Sequence, residues 1–380
     1  MPRVLIVCEY PTLNGGEHSM LSVLEGTRRA GFEIVVATPA AGPLAESLSA
    51  EGVQVLSLRM TDSGGKRLPR QTLENRLRSI IKSCRPALVH ANSLAMSRLS
   101  GPVVERLGNA SIGHLRDILG LTPAAVADLN RHTRLLAVSH ATRDYHVAAG
   151  LDQKKTFVLH NGVDLARFRP RGPSGYLHRE LNLPPSAPLV AAIGQISLRK
   201  GLDVLVEAAA MVASKLPCVH FLIVGGRHSQ KQEAQELEAV LRRKAGQAML
   251  AGRCHFLGVR TDVDRLLNEL TLLVHAACQE PLGRVLLEAA AAGTAVLATD
   301  VGGTSEIFPN GASEARLVPP GDVAALASAM VEILEDEPLR RRLAAAARHR
   351  AEEAFDAQAA GRGLADHYHQ VLGSFPAAYP

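Results

Sequence analysis

Two glutamates eight residues apart bracket a short segment that contains one glycine, Glu280-Pro-Leu-Gly-Arg-Val-Leu-Leu-Glu288. The apolar run Leu272-Leu-Val-His-Ala276 precedes it. Glu280 therefore falls just past the C-terminal end of an expected strand, where open α/β sheets bind ligands. A helix is expected to begin near Gly283. With about 1.5 Å of rise per residue and a partly unwound start, the two carboxylates stand roughly 10 Å apart. That separation matches the span from hexose to ribose in a nucleoside diphosphate sugar. Between the carboxylates, the free N–H groups and positive dipole end of the helix would receive the diphosphate, and Gly283 allows close backbone approach. Taken alone, the pair equally suits an ordinary helix that carries two glutamates.

A second segment, Gly194-Gln-Ile-Ser-Leu-Arg-Lys-Gly201, also follows an expected strand. Arg199 offers a forked contact and Lys200 a point charge, a combination suited to neutralising a diphosphate. Two glycine loops, Asn14-Gly15-Gly16 and Val301-Gly-Gly-Thr-Ser-Glu306, sit in the same position after strands. Each by itself is what any tight turn shows.

These loops need a scaffold, and the apolar patterning supplies one. Short β-branched runs at 4–8, 33–38, 53–58, 87–91, 111–115 and 134–138 read as buried parallel strands, with helices at 17–30, 44–51 and 73–84. A Pro/Gly-rich run at 169–175 reads as a linker. The alternation then restarts, with strands at 189–193, 219–224, 254–257, 272–276 and 295–299. Its helices are at 202–216, 230–245, 263–269, 284–292, 323–334, 338–353 and 357–372. Strand and helix in alternation define a doubly wound α/β class, and 380 residues suit two domains. The expected domains are 1–171 and 176–356, with the C-terminal helix 357–380 packing back on the first. A cleft between two such domains is a usual place for a ligand.

Composition narrows the function. The chain is 47% hydrophobic and 21% charged, ordinary for a globular protein. Aromatics are 3% and Trp is absent, which argues against aromatic stacking platforms. Residues 1–171 hold 22 Lys/Arg against 14 Asp/Glu, while the remainder is slightly acidic. A basic first half suits an anionic partner or an acidic membrane surface. The five cysteines show no CxxC spacing, so neither a disulfide framework nor a zinc site is expected and a reducing cytoplasm is. The apolar run 4–8 is too short for a signal sequence and no stretch reaches the roughly 20 apolar residues of a spanning helix. Any membrane contact would be peripheral, at the inner face, through the basic amphipathic stretch 73–84. The dinucleotide fingerprint G-x-G-x-x-G and the Walker A motif are both absent, and no nucleic-acid-binding module is recognisable.

In their order along the chain these pieces resemble glycosyltransferase family 4, of the GT-B fold. The matching pieces are Gly15-Gly16, Asn161-Gly-Val-Asp164, the loop 194–201 ending in Lys-Gly, Glu280-x7-Glu288 and Gly302-Gly-x-x-Glu306. The resemblance covers nearly the whole chain, and the joint match is far more specific than any one motif. It implies two Rossmann-like domains facing across a cleft. It also implies retaining transfer of a hexosyl group from a UDP- or GDP-sugar to an acceptor hydroxyl, without a permanently bound cofactor or a required metal. Glu280 would contact the donor sugar's hydroxyls and Glu288 the ribose. Lys200, with Arg199, would bind the diphosphate at the Gly194 loop, together with the backbone N–H groups of Gly283, Arg284 and Val285. Gly15 and Gly16 would approach from the other domain, and Leu257 would lie near the nucleobase.

The chain departs from the family at two places. Gln195 stands where the family has Arg, and Arg199 is the candidate replacement. The family's strand-terminal His-Asp reads here Gly113-His-Leu-Arg-Asp117. Arg116 occupies the His register and His114 lies two residues earlier on the same face, so either could take the catalytic role. A GT-B epimerase or hydrolase, or a non-catalytic nucleotide-sugar-binding protein, would share the donor motifs. No motif specifies the base, the sugar, the acceptor or the oligomeric state.

Overall fold

The computed structural model describes residues 1–374 except 228, 230 and 248. The chain divides into two units, Met1–Gly162 with the segment from Ala357 onward, and Val163–Asp356. Positions 375–380 of the expected C-terminal helix, and Gln230 at the start of an expected helix, lie outside the described residues.

Among the described residues the first unit has a seven-stranded parallel sheet. Its strands are β1 (Arg3–Val7), β2 (Glu33–Thr38), β3 (Gln54–Ser57), β4 (Leu88–Ala91), β5 (Ala110–Leu115), β6 (Arg134–Ala137) and β7 (Thr156–Val158), in the order β3-β2-β1-β4-β5-β6-β7. Side chains alternate between the two faces of a strand, and here both faces are covered. Val4 and Ile6 pack with Leu364 and Tyr368 of the helix Ala357–Gly373. Leu5 and Val7 pack with Leu73 and Leu77 of the helix Arg70–Cys84 and with Met96 and Val103 of the helix Leu94–Leu107. Double coverage is why β1 reads as a continuous apolar run. It also uses up the apolar side of Arg70–Cys84: Leu73, Leu77 and Ile81 are buried, which leaves that helix mainly polar and charged side chains, such as Gln71, Asn75, Arg78 and Lys82, to offer a membrane. No helix among the described residues is long and apolar enough to cross one.

The second unit repeats the plan with β8 (Leu189–Ile193), β9 (His220–Val224), β10 (Cys254–Gly258), β11 (Leu272–His275), β12 (Val296–Thr299) and β13 (Arg316–Val318), in the order β10-β9-β8-β11-β12-β13. Strand order therefore reverses between β1 and β4 in one sheet and between β8 and β11 in the other. These are the topological switch points, where the loops leaving adjacent strands diverge and open a ligand crevice. The edge strands β7 and β13 have three residues each, too few to establish a periodicity.

The expected boundary at 171 shifts to 162/163. Residues 169–175 read as a linker, yet they and the turn before them are tied to the second unit. Arg167 and Arg171 pair with Asp264, and the Arg171 N–H donates to Asn268 at 2.6 Å. Glu269 accepts from the Ser174 and Gly175 N–H groups at 2.6 and 2.8 Å. Pro and Gly marked the absence of regular structure here, but they did not mark the end of a unit.

A buried polar chain fixes the C-terminal helix to the first sheet. Arg116 Nη2 lies 3.2 Å from His114 Nδ1, and Arg has only donors, so that nitrogen must accept. His90 Nε2, also 3.2 Å from it, then donates, and His90 Nδ1 accepts from the Tyr368 hydroxyl at 2.7 Å. Burial and the Arg116 charge push His90 down to about 3, so the ring is neutral, as this pattern requires. Tyr368→Phe leaves a buried imidazole nitrogen without its donor. We expect it to cost about 1–3 kcal/mol, measured by urea unfolding of the full chain, with little change in far-UV circular dichroism.

Candidate active site

The candidate site of the second unit is built by three loops that leave β8, β11 and β12. The β8 loop passes through a 3₁₀ turn, Leu198–Lys200, to Gly201 (φ +58°) and the helix Leu202–Lys215. A Cβ on Gly201 would lie 1.9 Å from the Ala276 carbonyl oxygen, so only glycine lets this loop close onto the segment after β11. The Cys278 N–H donates to the Arg199 carbonyl at 2.9 Å, which joins the same two loops. On the other side, a Cβ on Gly302 (φ +53°) would lie 2.0 Å from the Glu280 carbonyl oxygen. That oxygen accepts the Gly303 N–H at 3.0 Å. The two glycine signatures read from the sequence thus hold the Lys200 and Glu280 backbones in place.

Three donors converge on Glu280. Lys200 Nζ stands 2.5 Å from Oε2, His275 Nε2 2.8 Å from the same oxygen, and Arg199 Nη1 3.9 Å from it. Burial alone would raise the Glu280 carboxyl, but Lys200, the His275 hydrogen bond and Arg199 outweigh burial and hold it well below the usual carboxylate range. Burial, reinforced by Lys200, lowers His275, which stays neutral and donates its Nε2–H. The result is an ionised carboxylate under an ammonium, steadied by a neutral imidazole.

Gly283 (φ +100°) then opens the helix Arg284–Ala292, whose first N–H groups have no acceptor within the helix. Arg284 Nε donates to Glu288 at 2.6 Å one turn on, and Glu288 is nearly as buried as Glu280. Four polar atoms on these loops are shut from solvent without a protein hydrogen bond: Ser197 Oγ, Arg199 Nη1, Arg284 Nη1 and Thr304 Oγ1. An unmatched buried group costs about 1–3 kcal/mol. Such a cluster beside a helix N-terminus suits an anionic, hydroxyl-rich ligand.

The structure thus gathers Gly194, Arg199, Lys200, Glu280 and Gly283 on adjoining loops, with Arg284, Val285 and Glu288 on the first turns of the helix that follows. Leu257 ends two strands further along the same sheet edge, where the Gly258 carbonyl accepts the Gly225 N–H at 2.7 Å. Leu257 sits on the edge strand β10, packed with Leu189, Leu222 and Leu266. His275 went unread in the sequence. Its one available signal was a histidine ending an apolar strand five residues before Glu280.

In the first unit, Gly15 and Gly16 open the helix Gly15–Arg29, behind an Asn14–Glu17 capping box. Arg116, just past β5, packs its Cδ 3.2 Å from where a Gly16 Cβ would stand. Its guanidinium donates to the Asn92 carbonyl and side chain at 2.9 Å each and to Asn161 at 2.8 Å. His114 lies inside the strand and is 3% exposed. Arg116 therefore stands at the sheet's C-terminal edge, and His114 supports it from beneath. Of the two residues that fix Arg116, Asn161 opens the Asn161–Asp164 motif, whereas Asn92 carries no signal in the sequence.

Two family descriptions match the two halves of the chain: Glycosyltransferase Family 4 at residues 13–167 and Glycosyl transferases group 1 at 176–350. The chain is 33% identical over 231 residues to the lipopolysaccharide core biosynthesis mannosyltransferase LpsB of Rhizobium meliloti, a match covering 59% of this chain and 63% of that protein. It is 29% identical over 362 residues to the phosphatidyl-myo-inositol mannosyltransferase of Mycolicibacterium smegmatis, covering 89% and 86%. Its fold is that of Anabaena HepE, solved with UDP and glucose, at a TM-score of 0.85 and 23% identity over 97% of this chain and all of that one. The two sheets are those of a GT-B glycosyltransferase. The chain belongs to glycosyltransferase family 4.

Lys200→Met removes the main counter-charge from a buried carboxylate. We expect a loss of about 3 kcal/mol, the low end for a broken buried pair because His275 and Arg199 remain. Glu280 titrates at a depressed value in the fold, so its contribution is present above the ordinary carboxylate range and is lost as pH falls through that lower value. In Lys200→Met we expect burial to prevail and lift the folded carboxyl above the ordinary carboxylate range, so the deficit should be larger at pH 8 than at pH 5 in urea unfolding. Adding Glu280→Gln should recover much of it.

Proposed function

We propose that this chain is a retaining glycosyltransferase that moves a hexosyl group from a UDP- or GDP-sugar to an acceptor hydroxyl. One observation carries the reading. At the second switch point an ionised Glu280 and a buried Glu288 flank a helix N-terminus, beside Lys200 and two arginines with unmatched buried nitrogens. Glu280 accepts from the sugar's hydroxyls and Glu288 from the ribose. Lys200, Arg199 and the first N–H groups of the helix Arg284–Ala292 take the diphosphate. Arg199 supplies the cation that the family pattern puts at Gln195. The names of the LpsB and phosphatidyl-myo-inositol relatives, both mannosyltransferases, support a sugar-transferring role.

The chemistry that follows is electrostatic. As the glycosidic bond to the diphosphate lengthens, negative charge grows on the leaving oxygens, and preorganised cations and N–H dipoles stabilise it without reorganising. The acceptor hydroxyl attacks from the face the diphosphate leaves, and the diphosphate takes its proton, so the anomeric configuration is kept. The first unit, with Gly15, Gly16 and Arg116 at its own switch point, serves the acceptor. The basic helix Arg70–Cys84 gives a membrane-borne acceptor an electrostatic contact.

Each charged hydrogen bond to the diphosphate is worth about 1.5–3 kcal/mol. Lys200→Ala should therefore lower kcat/KM at least tenfold with UDP-glucose or GDP-mannose, whichever the wild type turns over. Unchanged kcat/KM would remove Lys200 from the site. Proton NMR of the first-formed product should show the donor's anomeric configuration; an inverted product would exclude the retaining reading. Donor consumed without an acceptor would mark an epimerase or hydrolase instead.

A further inference from the structure

Every polar contact of the Glu280 carboxylate falls on one of its two oxygens. Lys200, His275 and Arg199 all approach Oε2. Among the described residues no donor reaches Oε1, and this oxygen is not among the polar atoms shut from solvent. The two close donors differ in stiffness. The Lys200 ammonium rides on a four-carbon stem and can swing toward another anion. His275 ends a buried strand, is 4% exposed, and its ring can move little without disturbing β11. Its Nε2 must carry the proton, because an ionised carboxylate only accepts.

We propose that His275 is a positioning residue for the donor sugar. It pins Oε2 of Glu280 so that Oε1 presents its lone pairs to a sugar hydroxyl, and it keeps the carboxylate there when Lys200 turns to the diphosphate. The inference rests on the donor-site reading above and adds a residue and an oxygen-by-oxygen division of labour to it. Two different anions, the Glu280 carboxylate and a diphosphate, would compete for Lys200 during turnover. A carboxylate held by Lys200 alone would lose its orientation at the moment it is needed. The imidazole bond does not depend on where Lys200 points.

The test compares wild type with His275→Gln, whose amide N–H can reach Glu280, and with His275→Asn, which is one methylene too short. UDP and GDP binding is measured by calorimetry. Turnover of UDP-glucose or GDP-mannose is followed across pH, and thermal unfolding controls for folding. We expect both variants to bind the nucleotide diphosphate within twofold of wild type. His275→Asn should lose at least tenfold in kcat, and His275→Gln should recover most of it. The groups facing Glu280 are Lys200 and Arg199 from the β8 loop and His275 from β11. Losing the His275 bond raises the carboxyl, so the acid limb of kcat/KM should move to higher pH in His275→Asn and return in His275→Gln. Equal kcat and an unmoved acid limb in all three proteins would overturn the inference, as would equal impairment of the two variants. A wild type that binds neither UDP nor GDP would overturn the donor-site reading and this inference with it. A wild type that binds and transfers, with His275→Asn unimpaired, would overturn this inference alone.

Discussion

The second unit is organised around a carboxylate that must stay charged while buried. Desolvation alone would protonate Glu280 or expel it from the fold. Lys200 at 2.5 Å and His275 at 2.8 Å reverse that balance, and each must be delivered to within a few tenths of an ångström. Delivery depends on backbone. Gly201 lets the cationic loop close on Ala276, and Gly302 lets the β12 loop close on the Glu280 carbonyl. A methyl group at either position would separate the charges it now holds together. The arrangement is thus stabilised locally by its ion pair and made possible by two residues that carry no side chain.

The first unit places a different group at the equivalent point. There the strand-order reversal between β1 and β4 is spanned by Arg116, which grips Asn92 and Asn161 and leans on His114. Behind it His90 and Tyr368 continue the chain of hydrogen bonds into the C-terminal helix. A change near residue 368 therefore bears on the sheet's C-terminal edge, because a buried polar chain satisfies its members only jointly. One topology thus carries two chemistries. The second switch point assembles cations around a carboxylate. The first holds a single guanidinium on neutral amides and imidazoles.

Much of this is legible in the sequence. The repeated strand–helix alternation carries the fold class, since parallel strands buried on both faces leave continuous apolar runs such as 4–8 and 189–193. Residues close in the chain were legible too, because Glu280, Gly283 and Glu288 belong to one strand–loop–helix unit whose geometry is local. Two features were not. The unit boundary lay outside the Pro/Gly run, because Asp264, Asn268 and Glu269, some 90 residues away, hold residues 167–175. His275 was passed over because its role exists only where β11 ends against the β8 loop.

The sequence by itself determined which residue types follow which strands, and therefore that glycine-bounded, charged loops would cluster at the C-terminal edges of two parallel sheets. The tertiary structure alone decided which of those loops touch. It set Lys200 on Glu280 across 80 residues, brought His275 to the same oxygen, and placed Arg116 rather than His114 at the outer edge of its strand. The reason is physical. Periodicity and turn chemistry act over a few residues, whereas an ion pair or a buried hydrogen bond is set by the packing of whole strands and helices, and its partners can lie anywhere in the chain.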